Sequence, residues 1–165
     1  MKMTKAVTMI ELIFVIVILG ILSAVALPKF QGVRNQADIA NAKAQVSTIR
    51  AAIANDRQRR LIMGCSLYAK IGIGTFDCNA DNTYNNAGTK YKSINNGTDL
   101  FGGVLTREIT NSNTVGNWYT NNRGSGTYYY NLSGGDLTFT YQDDKNGTFE
   151  CTATANADVN CSRFN

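Results

Sequence analysis

A chain of 165 residues is long enough for one domain and an extension. Its formal net charge is +4, too small to argue for nucleic-acid binding, and two of the positives, Lys2 and Lys5, fall in the first six residues. The absence of histidine excludes His-based catalysis and weakens the case for a zinc site.

The first element runs from Val7 to Leu27 and is apolar apart from one charge, Glu11. A helix needs about 20 such residues to span a bilayer core. The short basic flank MKMTKA predicts a cytoplasmic N-terminus with the rest of the chain outside. A secretory signal would have a shorter apolar core, about 7–15 residues, and then a small-residue cleavage site. A plain anchor explains the length but not Glu11. A charge at the centre of a span costs roughly 2.5–3.5 kcal/mol, and less near its end. No Lys or Arg lies between Lys5 and Lys29 to pair with it. A cut after Ala6 would supply the cation as the free α-amino group of Val7, on the same chain or on a staggered neighbour. In the second case the carboxylate sets the register of an assembly.

The stretch KAVTMIELIFVIVILGILSAVALPKF resembles the N-terminal signature of type IV pilins and of the pseudopilins of type II secretion. The resemblance covers about the first thirty residues. It implies a leader of residues 1–6, removed by a prepilin peptidase between Ala6 and Val7, and N-methylation of Val7. It makes Glu11 the assembly glutamate and Gly20 and Pro28 the helix-loosening positions. Ala6 stands where the family usually has glycine, and Val7 where it usually has phenylalanine. The implied function is a structural subunit of a type II secretion pseudopilus. The alternative is a type IV pilus pilin or minor pilin serving adhesion, motility or DNA uptake. The implied partners are the prepilin peptidase, copies of itself and other pilins, an inner-membrane assembly platform, and membrane lipid before assembly. Nucleic acid is not expected as a partner. The implied location is the inner membrane, single-pass, with a periplasmic head, and then a periplasmic or surface filament.

Residues 28–61 continue the helix in an amphipathic form. Phe30, Val33, Ala37, Ala40 and Ala44 make one stripe, and Ile39, Ala42, Val46, Ile49 and Ile53 make a second, shifted by about two residues and so nearly opposite. The first stripe is expected to meet other helices and the second to lie under a head. From Val7 to Leu61 the helix would be about 80 Å long. Pro28 and Gly20 are its weak points, and the segment between them is expected to stretch on leaving the bilayer. Gly64 is a terminator. Asp56, Arg57, Arg59 and Arg60 read as a charged patch that complements the helix dipole.

Residues 62–165 form the head. Between 62 and 127, Gly, Asn and Thr dominate and predict a long loop with little regular structure. The exception is DLFGGVLTREI, where Leu100, Phe101, Val104, Leu105 and Ile109 suggest a helical face capped by Asp99. From 127 to 165 the period changes to two. TYYYNL, DLTFTYQ and GTFECTAT are strand-like runs separated by SGG and DDKNG, which predicts an antiparallel meander. The fold class is therefore α+β, a long N-terminal helix against a small C-terminal antiparallel sheet, and this too resembles the pilin fold.

Four cysteines follow the apolar run, none in a C-x-x-C pair, which fits an exported head. Of three possible pairings, Cys65–Cys78 and Cys151–Cys161 each close a short local loop. Each would constrain the unfolded chain by roughly 3 kcal/mol. DDKNG holds carboxylates and an amide but lacks the calcium-loop pattern, so it reads as a turn, and no metal or other cofactor is expected. Asp144-x-Asn146-x-Thr148 and Asp158-x-Asn160-x-Ser162 match an extended N-glycosylation acceptor pattern at a level that chance explains. Nothing in the sequence supports an enzyme.

Overall fold

The computed structural model describes residues 7–72, 75–78, 84–85, 90–95, 100–107, 109–143, 146–154 and 160–165. The expected leader 1–6 lies outside the described residues, as do Asp99, Asp144 and Asp158. The chain divides into two compact units, Met1–Ala37 and Asp38–Asn165. One helix, α1 (Met9–Ile62), contributes to both.

In the first unit α1 carries the apolar run. Its large side chains are solvent-exposed, from Ile10 at 76% through Phe14 at 65% to Leu27 at 67%. By length and composition it can cross a membrane. Helical geometry continues through Gly20 and Pro28. The side chains of Pro28 and Phe30 are outside the described set.

In the second unit the remainder of α1 packs under a four-stranded antiparallel sheet of order β4-β5-β6-β7. The strands are β4 (Trp118–Tyr119), β5 (Thr127–Leu132), β6 (Gly135–Gln142) and β7 (Thr148–Thr154). Alternation decides which side chains face the helix. Tyr128, Tyr130 and Leu132 of β5, Leu137, Phe139 and Tyr141 of β6, and Phe149 and Cys151 of β7 are buried. They join Ile39, Ala42, Val46, Ile49 and Ile53 of α1 in one core. The second stripe is thus the buried face. Val33, Ala37, Ala40 and Ala44 of the first stripe are exposed. Each fully buried Ile or Val contributes roughly 1.5–3 kcal/mol against exposure. The register sets Tyr128 opposite Phe139 and Tyr141 opposite Phe149. Between Thr138 and Phe139 the ladder shifts, so that Thr152 of β7 is the extra residue of a bulge.

Two expectations for residues 62–127 are corrected. The stretch is not a bare loop. β1 (Thr75–Cys78) pairs antiparallel with β2 (Tyr84–Asn85) and with β3 (Tyr91–Lys92), giving a second small sheet of order β2-β1-β3. Its own core is Cys65, Phe76 and Tyr91. Nor is the segment at 100–109 a helix. Leu100 bridges Ile109 antiparallel, and Phe101 takes φ 60°. That turn sends both Leu100 and Phe101 into the main core, which consecutive residues of one helical face would not do. The chain passes so close to Ser93 that a Cβ on Gly103 would lie 2.0 Å from the Ser93 carbonyl oxygen. At the end of α1, Gly64 takes φ 84°, and the Cys65 N–H returns to the Arg60 carbonyl at 2.9 Å, the left-handed termination expected there.

Candidate functional site

Glu11 sits in the first turn of α1. Its N–H donates to the carbonyl of Thr8 at 3.1 Å and to Thr8 Oγ1 at 3.4 Å. Thr8 is therefore the helix cap, and Thr8-x-x-Glu11 is a capping-box sequence. A carboxylate in this turn also meets the positive end of the helix dipole. The carboxylate thus has a local reason to be at this end, which the sequence reading missed although the Thr-x-x-Glu spacing was legible. Val7, 68% exposed, lies just before the cap. The helix start thus brings Val7 and Glu11 to the same end, while Gly20 and Pro28 lie farther along α1. A Cβ on Gly20 would meet nothing within 4 Å.

The remaining expected site residues belong to the second unit. The structure joins Cys65 to Cys78, with Cα atoms 5.7 Å apart, and Cys151 to Cys161, with Cα atoms 5.3 Å apart. The first bond ties the end of α1 to β1. The second ties β7 to a 3₁₀ turn (Cys161–Arg163), which Asn160 caps by accepting the Ser162 N–H at 2.9 Å. Asp143 of the DDKNG turn accepts the Ile71 N–H at 2.7 Å, a loop-fixing bond. Among the described residues no three of His, Cys, Asp and Glu converge as metal ligands would.

The charged patch at the end of α1 is corrected in part. Arg60 is fully buried and Asp56 nearly so. The Asp56 carboxylate accepts from Arg59 Nη2 and from Arg60 Nε. The Arg60 guanidinium lies 4.8 Å from the ring centres of both Phe76 and Tyr91 and donates to the Lys92 carbonyl at 3.1 Å. Its charge is held between two aromatic faces in the small sheet rather than offered to solvent. The sequence could not show this, since Phe76 and Tyr91 are distant along the chain.

The outer face of the main sheet carries Tyr119 stacked on Tyr129 at 5.0 Å. Tyr119 donates its hydroxyl to Asp136 at 2.7 Å. Burial, then this carboxylate, pushes the Tyr119 phenol up to about 12. Burial likewise raises the phenols of Tyr128 and Tyr130.

α1 thus begins as an exposed apolar helix whose first turn holds one carboxylate, Glu11, behind the Thr8 cap. Over 50 residues the chain is 48% identical to the type IV narrow pilus major component PilA5 of Thermus thermophilus. Over that stretch the chain is similar to a type IV pilin. The match covers 30% of this chain and 43% of that pilin, so it spans less than half of the relative's length. No family model matches the chain, and no solved structure matches it. The long helix and the antiparallel sheet described above make the α+β arrangement expected of a pilin-like fold.

Proposed function

We propose that the chain is a filament subunit that enters the membrane with its leader inside and its head outside, is cut between Ala6 and Val7, and polymerises through α1. The observation that carries this reading is the apolar half of α1, whose large side chains are exposed and which holds one carboxylate. Such a surface is stable in lipid or against copies of itself. A heterologous contact that does not close then builds an open helical polymer. Glu11 would meet the α-amino group of Val7 on a neighbour and fix the stagger. Prepilin peptidase, N-methylation of Val7, an inner-membrane platform and a loosening of α1 between Gly20 and Pro28 belong to the same proposal. The relative's role in a pilus makes a type IV pilus the first reading. A type II secretion pseudopilus is the second, on the same helix.

Glu11→Gln tests the charge apart from the cap. Glutamine serves a capping box as glutamate does. The variant is expected to insert and be cut as the parent is, yet to yield few filaments by electron microscopy of sheared cells. Normal filaments from Glu11→Gln would leave Glu11 with the capping role alone. Deleting the gene and assaying surface fibres, motility and secretion together separates the two filament types.

A further inference from the structure

The turn between β6 and β7 ends in Asn146-Gly147. Asn146 is exposed, whereas Gly147 is buried against the ring of Tyr68. A Cβ on Gly147 would lie 2.0 Å from Tyr68 Cδ1, and the residue takes φ 61°. Both constraints demand glycine. The turn also seats the segment that follows α1. Tyr68 holds the Arg57 guanidinium 4.8 Å from its ring centre, and Asp143 of the turn accepts the Ile71 N–H at 2.7 Å.

The glycine that this packing demands exposes its neighbour to chemistry. Asparagine is a thermolabile residue. Its amide carbon lies within reach of the next backbone nitrogen, and attack there closes a five-membered ring. A side chain on that next residue crowds the attack, and glycine has none. Elsewhere in the second unit the asparagine amides are held. Asn95 accepts from Tyr128 and donates to the Arg123 carbonyl, Asn131 donates to Asn113, and Asn160 accepts the Ser162 N–H. Among the described residues no hydrogen bond holds the Asn146 side chain or the Gly147 N–H. The other Asn-Gly pair, Asn96-Gly97, lies outside the described residues.

We propose that Asn146 is a site of spontaneous modification, in which the Gly147 nitrogen converts its amide to aspartate and isoaspartate. Base removes the Gly147 N–H proton, and that nitrogen forms a bond to Asn146 Cγ. The Cγ–Nδ2 bond breaks, and Nδ2 takes up a proton and leaves as ammonia. Water then opens the ring. Addition at Cγ gives aspartate; addition at the Asn146 backbone carbonyl gives isoaspartate, with the main chain running through Cβ and Cγ. The net change is amide plus water to carboxylic acid plus ammonia, with no oxidant and no partner. Either product lowers the net charge by one. Isoaspartate also lengthens the turn by one backbone carbon, which unseats Gly147 from Tyr68. The site lies within the second unit and does not depend on the filament reading.

The experiment incubates the folded full chain in nonionic detergent under mildly acidic and mildly alkaline conditions. Peptide mapping is expected to show a mass gain of about 1 Da at Asn146. It should accumulate at least tenfold faster in the alkaline sample, and at least tenfold faster than at Asn95, Asn131 or Asn160. A protein isoaspartyl methyltransferase with labelled methyl donor should mark the same peptide. Asn146→Gln, whose longer side chain would have to close a larger ring, should abolish the gain. Asn146→Asp supplies the charge without the longer backbone, so it should keep the parent Tm while the isoaspartate fraction unfolds at a lower one. The proposal is overturned if Asn146 stays intact in the folded chain, if it changes only after denaturation, if its rate matches that of the bonded asparagines, or if Asn146→Gln gains mass in that peptide as the parent does.

Discussion

The side chain of Asn165 pairs with the backbone of Cys151 as a neighbouring strand would. Its Oδ1 accepts the Cys151 N–H at 2.9 Å and its Nδ2 donates to the Cys151 carbonyl at 3.2 Å. Cys151 lies on β7, an edge of the main sheet. One step along that edge Arg50 Nε donates to the Phe149 carbonyl at 2.8 Å, and its Nη1 reaches the Phe164 carbonyl. Unpaired edge groups invite another strand, and here side chains occupy them. Asn165→Ala should cost about 1–3 kcal/mol for two lost bonds in chemical denaturation. It should also speed amide exchange at Cys151. Unchanged exchange there would show the cap to be idle.

The Asp56–Arg60 pair makes an asymmetric prediction. Asp56→Ala strands a buried guanidinium and should cost about 3–5 kcal/mol. Replacing both residues, as Asp56→Leu with Arg60→Met, should recover most of that loss, because a buried pair is worth little over an apolar one. A double-mutant cycle by denaturant unfolding measures the coupling. Additive losses would mean that the two side chains do not act as a unit.

Tyr119 sets an alkaline limit. An unfolded tyrosine ionises near pH 10, whereas the folded phenol of Tyr119 is pushed up to about 12. Between those values the unfolded state gives up a proton that the folded state keeps, so stability falls as pH rises through that window. The contribution is full below about pH 10. Tyr119→Phe should flatten the decline, leaving the share carried by Tyr128 and Tyr130. Tm measured from pH 8 to 12 gives the two slopes, and identical slopes would dismiss the Tyr119 contribution.

Core truncation on the helix should be costly where the stripe is sealed. Ile49 is fully buried, and Ile49→Ala should lose about 2–5 kcal/mol. Ala44→Ser, on the exposed face, should stay within about 0.5 kcal/mol. Equal effects at both positions would contradict the division of the helix into a buried and an open face.

The main sheet was legible because period-two burial repeats over three runs with hairpin signals between them. The stripe from Ile39 to Ile53 was legible because helical spacing and bulky residues coincide. The small sheet was not, since β2 and β3 are two residues each and sit among Asn, Gly and Thr, where alternation has no length to show itself. The misread helix at 100–109 turned on Phe101, whose positive φ is a tertiary choice that no local preference announces. Arg60 looked like a surface cation because its partners Phe76 and Tyr91 come from another part of the chain. Thr8 and Glu11 show the reverse, a cap that the Thr-x-x-Glu spacing makes readable from local sequence alone.

Trp118 reaches past the sheet to donate its Nε1–H to Gln45 of α1 at 2.7 Å, while its ring is wedged among Phe101, Tyr130 and Phe139. An apolar stripe alone lets a cylinder roll slightly on the surface beneath it. One polar tether from an immobilised ring to one helix position stops the roll. The azimuth of Ala40, Ala44 and Ala51 on the far side is then dictated from within. Whatever meets those alanines meets them at an angle chosen by a tryptophan it never touches.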